Sequence, residues 1–210
     1  MSGFNYGVIS YVVYVSPTMF NWTQEYIRCQ KFAKLEYQTT KEQRRRRNQC
    51  NEARIRIQTA DGKMGEILAC NHLRSLGHAC TEPDFEIYDK AHKSFDADFY
   101  VNGHPVHCKT QNAESAHRYG MSWMFQRSGR GYGHTDPAIK SPKDKAIFVL
   151  VDHKKKTGTV YGPYSMADII TQFKEPKLTY LKGIKAVIYA DDLTNVVNDP
   201  CMEMHEDESR

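Results

Sequence analysis

Apolar positions change period several times along the chain, and each change predicts an element. Residues 1–18 are rich in Tyr, Val and Ile and end at Ser16-Pro17, which reads as one added strand. Over residues 22–37, Trp22, Tyr26, Cys29 and Phe32/Ala33 recur every three or four positions, the period of a helix with one buried side. An arginine run follows. The pattern resumes at Asp61-Gly62-Lys63, which offers a helix start. Met64, Ile67, Leu68, Cys70, Leu73 and Leu76 then form an apolar side, and Gly77 supplies the stop. Beyond it the period shortens to two. Residues 81–88 alternate Phe85 and Ile87 with Asp84, Glu86 and Tyr88, predicting a strand. Residues 89–93 read as a turn and 95–101 as a second strand. Asn102-Gly103 is a strong short-range hairpin signal, and 104–110 returns as a third strand.

In the second half, residues 112–126 read as a helix with Trp123, Met124 and Phe125 near its end, where core packing is the simplest role for these side chains. Residues 127–144 are a loop punctuated by Gly and Pro. The continuous apolar run 146–151 predicts a buried central strand. Residues 154–158 turn the chain into an edge hairpin at 159–162. Residues 165–173 form a short helix with Ser165 as N-cap and Asp168 in its first turn, and 184–190 is a last strand. The fold class is α/β (α+β), a mixed central sheet flanked by helices with an N-terminal helical and basic extension. The expected organisation is an extension at 1–60, a core domain at 61–198 and an acidic tail at 199–210. There is no internal repeat and no low-complexity linker.

Composition narrows the class. The 210 residues are 40% hydrophobic and 26% charged, enough for a real core and too balanced for general disorder. No apolar run reaches membrane length, so no membrane association is expected. The longest, at 8–15, contains Ser10, and no basic segment and cleavage site mark it as a secretory signal. Six cysteines lie scattered without a Cys-x-x-Cys pair, which suits free thiols in a reducing cytoplasm, the expected location. The net charge of +4 is unevenly placed. Residues 41–56 hold seven basic side chains against Glu42 and Glu52, and 199–210 hold five acids against Arg210. The basic block, with Arg44, Arg45, Arg46 and Arg47 at its centre, is either a phosphate-contacting arm or a solvated helix face or loop. The acidic tail reads as a solubilising end.

The predicted hairpin concentrates polar chemistry. A two-residue loop pairs Val101 with His104, so Asp98 faces His107 and Asp96 faces Lys109. All four then project from one side, while Phe95, Ala97, Phe99, Val106 and Cys108 face the core. Such a face is either a solvated sheet surface or an active site.

A helix with Gly65-Glu66-Ile67 precedes it, followed by Phe95-Asp96-Ala97-Asp98-Phe99-Tyr100-Val101-Asn102-Gly103 and Val106-His107-Cys108-Lys109-Thr110-Gln111. This order over roughly residues 62–151 resembles the PD-(D/E)XK nuclease superfamily, of restriction-endonuclease-like fold. The resemblance implies a metal-dependent DNA endonuclease that hydrolyses phosphodiester bonds. Carried over by position, Asp98 is the main metal ligand, Glu66 the helix acid that completes the shell and Lys109 the group that positions the attacking water. The implied cofactor is Mg²⁺, with Mn²⁺ as a substitute, and the implied assembly is a homodimer cutting duplex DNA. Two positions depart from the pattern. His107 stands where the family has an acid, and is a metal ligand, a general base or the mark of an inactive relative. Asp96 competes with Asp98 for the metal, while the literal Pro83-Asp84 lies one predicted strand too early.

A nucleic-acid partner fits the next segment. Gln111, Arg118, Arg127 and Arg130 lie among Tyr119, Trp123, Phe125 and Tyr132, suiting phosphate contact and base readout. His104, His107, His117 and His134 lie near Cys108, but their spacing matches no closed zinc motif. The alternatives to a nuclease are a catalytically inactive nucleic-acid-binding module of the same fold and a zinc-stabilised interaction protein.

Overall fold

The computed structural model describes residues 11–13, 20–46, 48–88, 97–127 and 135–196. Among the described residues, seven strands and five α-helices run in the order β1 (Tyr11–Val13), α1 (Trp22–Arg46), α2 (Glu52–Ser75), β2 (Phe99–Val101), β3 (His104–Asn112), α3 (Ala113–Tyr119), β4 (Ser122–Gln126), α4 (Pro137–Lys140), β5 (Lys145–Asp152), β6 (Thr157–Ser165), α5 (Met166–Thr171) and β7 (Lys185–Tyr189). The main sheet has the order β1-β6-β5-β3-β2. It is mixed: β3 and β5 are parallel, and the other neighbours are antiparallel. A parallel pair needs a crossover, which α3, β4 and α4 supply. Strands β4 and β7 form a separate antiparallel pair.

The sheet is buried on both faces. Ile147, Val149 and Val151 of β5 join Val106 and Cys108 of β3 under Met64, Leu68 and Leu73 of α2. Ala146 and Phe148 face the other way, onto Trp123 and Phe125 of β4 and Ala186 and Ile188 of β7. The run 146–151 therefore reads as uniformly apolar because both faces are covered. Helix α1 lies outside α2, and its Trp22, Cys29 and Ala33 belong to the same buried cluster. No helix among the described residues is long and apolar enough to cross a membrane.

Several elements differ from the sequence reading. Helix α1 continues nine residues past Tyr37, because Glu36, Thr40 and Arg44 are linked along one side: Arg44 donates to Thr40 Oγ1 at 2.8 Å and to both Glu36 oxygens at 2.9 and 2.8 Å. Helix α2 begins at Glu52, not at Asp61. Asn51 caps it by accepting from the Arg54 N–H, and the helix is continuous across 60/61. Its C-terminal stop is as expected, with Gly77 at φ 91°. Residues 81–88 form no strand. Only Cys80 makes a bridge, to Val101, while the Glu86 N–H and Tyr88 O–H bond to Asp84 and bend the segment. Residues 89–93, the expected turn, and residues 95 and 96 lie outside the described residues. The helix predicted over 112–126 splits. Gly120, at φ 85°, ends α3, and β4 follows, with Trp123 and Phe125 inward and Met124 exposed. Strand β6 is interior to the sheet, because β1 pairs along its outer side.

Candidate active site

The hairpin register is the one the sequence specifies: Val101 opposes His104 and Phe99 opposes Val106. The Asp98 N–H donates to the Val106 carbonyl at 3.0 Å, and there the regular ladder stops. Asp98 Oδ2 then accepts the Cys108 N–H at 2.7 Å, taking the place of the next backbone acceptor. The carboxylate is thus held at the edge of β3 where β2 departs.

Glu66 approaches this point from α2. Its side chain is buried, and Lys63, one helical turn earlier, donates to Oε2 at 2.7 Å. Gly65 makes the approach possible, since a Cβ built there would lie 1.9 Å from Thr110 Oγ1 of β3. Burial first, then the charge of Asp98, pushes the Glu66 carboxyl up to about 8 against the pull of Lys63. The same two carboxylates act on Cys108, whose thiol is pushed well up by burial and then by Glu66 and Asp98. Glu66, Asp98 and Cys108 thus share one electrostatic neighbourhood.

Lys109 lies on the other face of β3. Its ammonium lies 5.3 Å from the Phe125 ring centre and 3.0 Å from Asp136 Oδ2. Burial pulls it down, but Asp136 and then Asp98 outweigh burial and hold it above its ordinary value. At neutral pH Lys109 is a charged donor. It can orient a water or offset developing negative charge, and it cannot serve as a base.

His107 stands on the Lys109 face and is buried there, with Nε2 2.9 Å from Asp144 Oδ2. It joins Asp144, and neither Glu66 nor Asp98 is among its partners. Asp96 lies outside the described residues. Among the described residues no group of three or more His, Cys, Asp or Glu side chains is arranged to hold a metal ion. Glu66 and Asp98 are hard oxygen donors of the kind Mg²⁺ takes, and Mg²⁺ commonly keeps several waters beside one or two carboxylates. The pair therefore fits a partial shell in donor chemistry, with waters or further donors needed to complete it.

The residues expected to contact nucleic acid are dispersed. Arg44 is committed to Glu36, and Arg45 pairs with Glu42. Arg46 is exposed at the end of α1, and Arg47 lies outside the described residues. Gln111 is structural: its Nε2 donates to the Gly120 carbonyl and its Oε1 accepts the Ser122 N–H, clamping the turn into β4. Arg118 pairs with Glu114 and Arg127 with Glu175, both on the surface where such pairs exchange readily with a ligand. Arg130 and His134 lie outside the described residues. His104 and His117 are exposed, on the hairpin turn and on α3.

Sequence reasoning missed Lys63, Asp136 and Asp144. Lys63 was legible in principle, three residues before Glu66 on a helix. Asp136-Pro137 is a helix-start signal, and Asp136 does cap α4 by accepting the Ala138 N–H. Nothing local marks Asp144, whose role depends on a strand far away in sequence. Comparison with family models, curated proteins and solved structures finds no match to this chain.

Proposed function

We propose that this protein is a divalent-metal-dependent phosphodiester hydrolase acting on DNA, built on a restriction-endonuclease-like arrangement. The observation that carries the reading is Asp98, fixed on the Cys108 N–H where β2 leaves β3, with the buried Glu66 on one side of β3 and Lys109 on the other. A helix acid and a strand acid repel each other there, and a charged lysine stands within the field of the strand acid. The parallel β3–β5 pair beside the antiparallel β2–β3 hairpin suits such a fold.

In this reading Asp98 and Glu66 hold Mg²⁺ or Mn²⁺, which when bound lowers the pKa of water and offsets charge on the reacting phosphate. Lys109 orients the attacking water and stabilises the oxygen charge that develops. Asp136 keeps Lys109 protonated and aimed. The Arg45, Arg46, Arg118 and Arg127 side chains contribute phosphate attraction, and a homodimer supplies two sites for a duplex.

The test is cleavage of supercoiled plasmid and linear DNA in Mg²⁺, Mn²⁺ and EDTA, with Lys109→Ala beside the wild type. Metal-dependent cutting lost in the variant is the expected result. Full cutting by Lys109→Ala, or none by the wild type in any metal, overturns the proposal. One observation favours a second reading, an inactive DNA-binding module. Glu66, Lys109 and His107 are already paired with Lys63, Asp136 and Asp144. Salt-sensitive DNA binding without cleavage would select it.

A further inference from the structure

Two cysteines lie where the end of α2 passes over the segment that borders β2. Cys70 of α2 is 1% exposed, and its Sγ donates to the Thr81 carbonyl at 3.6 Å. One helical turn on, Arg74 Nη2 donates to the Cys80 carbonyl at 2.8 Å. One side of the helix thus grips the carbonyls of residues 80 and 81. The same segment is fixed to β2 by its backbone. The Thr81 N–H donates to the Tyr100 carbonyl at 2.9 Å and the Asn102 N–H to the Ala79 carbonyl at 2.8 Å, with Cys80 opposite Val101 in an antiparallel bridge. Residues opposed in this way send their side chains to one face of a sheet. Val101 is fully buried in the cluster under α2, to which Cys70 belongs, and the half-buried Cys80 packs against that cluster. Both thiols are free, and they enter one apolar layer, Cys70 from the helix and Cys80 from the sheet.

We propose that Cys70 and Cys80 are a redox pair that closes to a disulfide on oxidation by a peroxide, fastening the last turns of α2 to the segment beside β2. A disulfide needs its two Cα atoms within about 4.4–6.8 Å and its Cβ atoms turned toward each other. The reach of Cys70 Sγ to the residue next to Cys80, and the shared face of Cys80 and Val101, supply that approach. One peroxide balances the reaction. The Cys80 thiolate, from the more accessible thiol, attacks a peroxide oxygen. The O–O bond breaks, the leaving oxygen takes up a proton as water, and Cys80 is left as a sulfenic acid. Cys70 then attacks that sulfur, the S–S bond forms, the S–O bond breaks and a second water leaves. Two thiols are oxidised and one peroxide is reduced to two waters. Burial holds both thiols above their ordinary value while Arg74 pulls both down, and for Cys70 the charge of Cys80 adds to burial. The starting thiolate is therefore a minor species at neutral pH, and the pair closes slowly.

The experiment treats the dilute full-length protein with hydrogen peroxide in mildly alkaline buffer, caps the remaining thiols with an alkylating reagent and digests with trypsin without reduction. Cys70 falls in the tryptic peptide 64–74 and Cys80 in 75–90. The expected product is these two peptides joined, lighter than their sum by two hydrogens and separated again by dithiothreitol. Cys80→Ser should abolish the product and leave Cys70 open to alkylation once the chain is unfolded. Cys70→Ala should abolish it independently, leaving Cys80 oxidised but unlinked. The melting temperature distinguishes a pair set in place by the fold from one joined only in the unfolded chain. Oxidised wild type is expected to melt a few degrees higher than the reduced protein, because a short loop is closed in its native geometry, and Cys80→Ser should show no such rise. A link through Cys29 or Cys108 in place of this one overturns the proposal. So does oxidation of the exposed Cys50 with Cys70 and Cys80 left unlinked, or a Cys70–Cys80 link that lowers the melting temperature.

Discussion

His107 and Lys109 are two residues apart on one strand, and each meets an acid from the segment around α4. For His107 this means that the residue departing from the nuclease pattern is a buried partner of Asp144, 2.9 Å away. Replacing it with the pattern's acid would set two carboxylates against each other in a site with little water. His107→Glu is expected to lose about 2 kcal/mol or more of stability and to gain no cleavage, as read by urea unfolding and the plasmid assay. Glu66 makes a pH-dependent statement. Its ordinary carboxyl value is 4.5 and its value in the fold is about 8, so between these limits the folded state keeps a proton that the unfolded chain has released. The associated stability is complete below 4.5 and is lost as pH rises through 8. Glu66→Gln has no such proton to lose. In EDTA it should match the wild type within experimental error in pH trend below 4.5 and exceed it at pH above 8 by on the order of a few kcal/mol, measured by urea midpoints across that range.

At the scale of elements, the chain was legible where one local signal was enough. Asn102-Gly103 set the hairpin and its register, Gly77 ended α2, and the run 146–151 marked the central strand. Legibility failed where a distant neighbour decided. Asp61 reads as a helix start, yet it lies inside α2, because its carboxylate is satisfied by groups from other elements and needs no cap role. Trp123 and Phe125 read as the end of a helix, but β7 offered Met124 and its neighbours a pairing edge. Of the candidate site, alternation along the hairpin drew attention to Asp98 and Lys109 and the family resemblance to Glu66, whereas Asp136 and Asp144 required the crossover to be known. Gly65 shows how tightly α2 and β3 are matched. Its absent side chain lets the helix lie on Thr110, where an added Cβ would come within 1.9 Å of Oγ1 and 2.9 Å of Thr110 Cβ. Gly65→Ala should cost about 1–3 kcal/mol, and Thr110→Ala should recover part of it, since Oγ1 and Cγ2, two of the three clashing atoms, are then gone. Full additivity of the two losses in denaturant unfolding would contradict this account of the approach.

Across the whole molecule, one buried carboxylate joins parts that the sequence presents as separate. Asp61 is 4% exposed, and it takes the Tyr26 O–H at 3.1 Å, the Asn112 amide at 2.8 Å and His153 Nε2 at 2.8 Å. Those partners come from α1, from the end of β3 and from the turn between β5 and β6, and the His153 ring also lies against Tyr26 and the edge of Trp22. Asp61→Ala would leave three donors without an acceptor, a loss of about 3–5 kcal/mol, against a typical total of about 5–15 kcal/mol. The two tryptophans can show where the loss is felt. Trp22 belongs to the cluster under α1 and α2, and Trp123 belongs to the cluster on the opposite face of the sheet, where its N–H donates to the Val149 carbonyl. If Asp61 is the tie that makes α1 cooperative with the sheet, Trp22→Phe and Trp123→Phe variants of the intact chain should unfold at the same denaturant concentration by fluorescence. In the Asp61→Ala background the transition reported by Trp22 should come first. Coincident transitions in that background would mean that the apolar contacts of Trp22, Cys29 and Ala33 hold α1 to the core without the carboxylate.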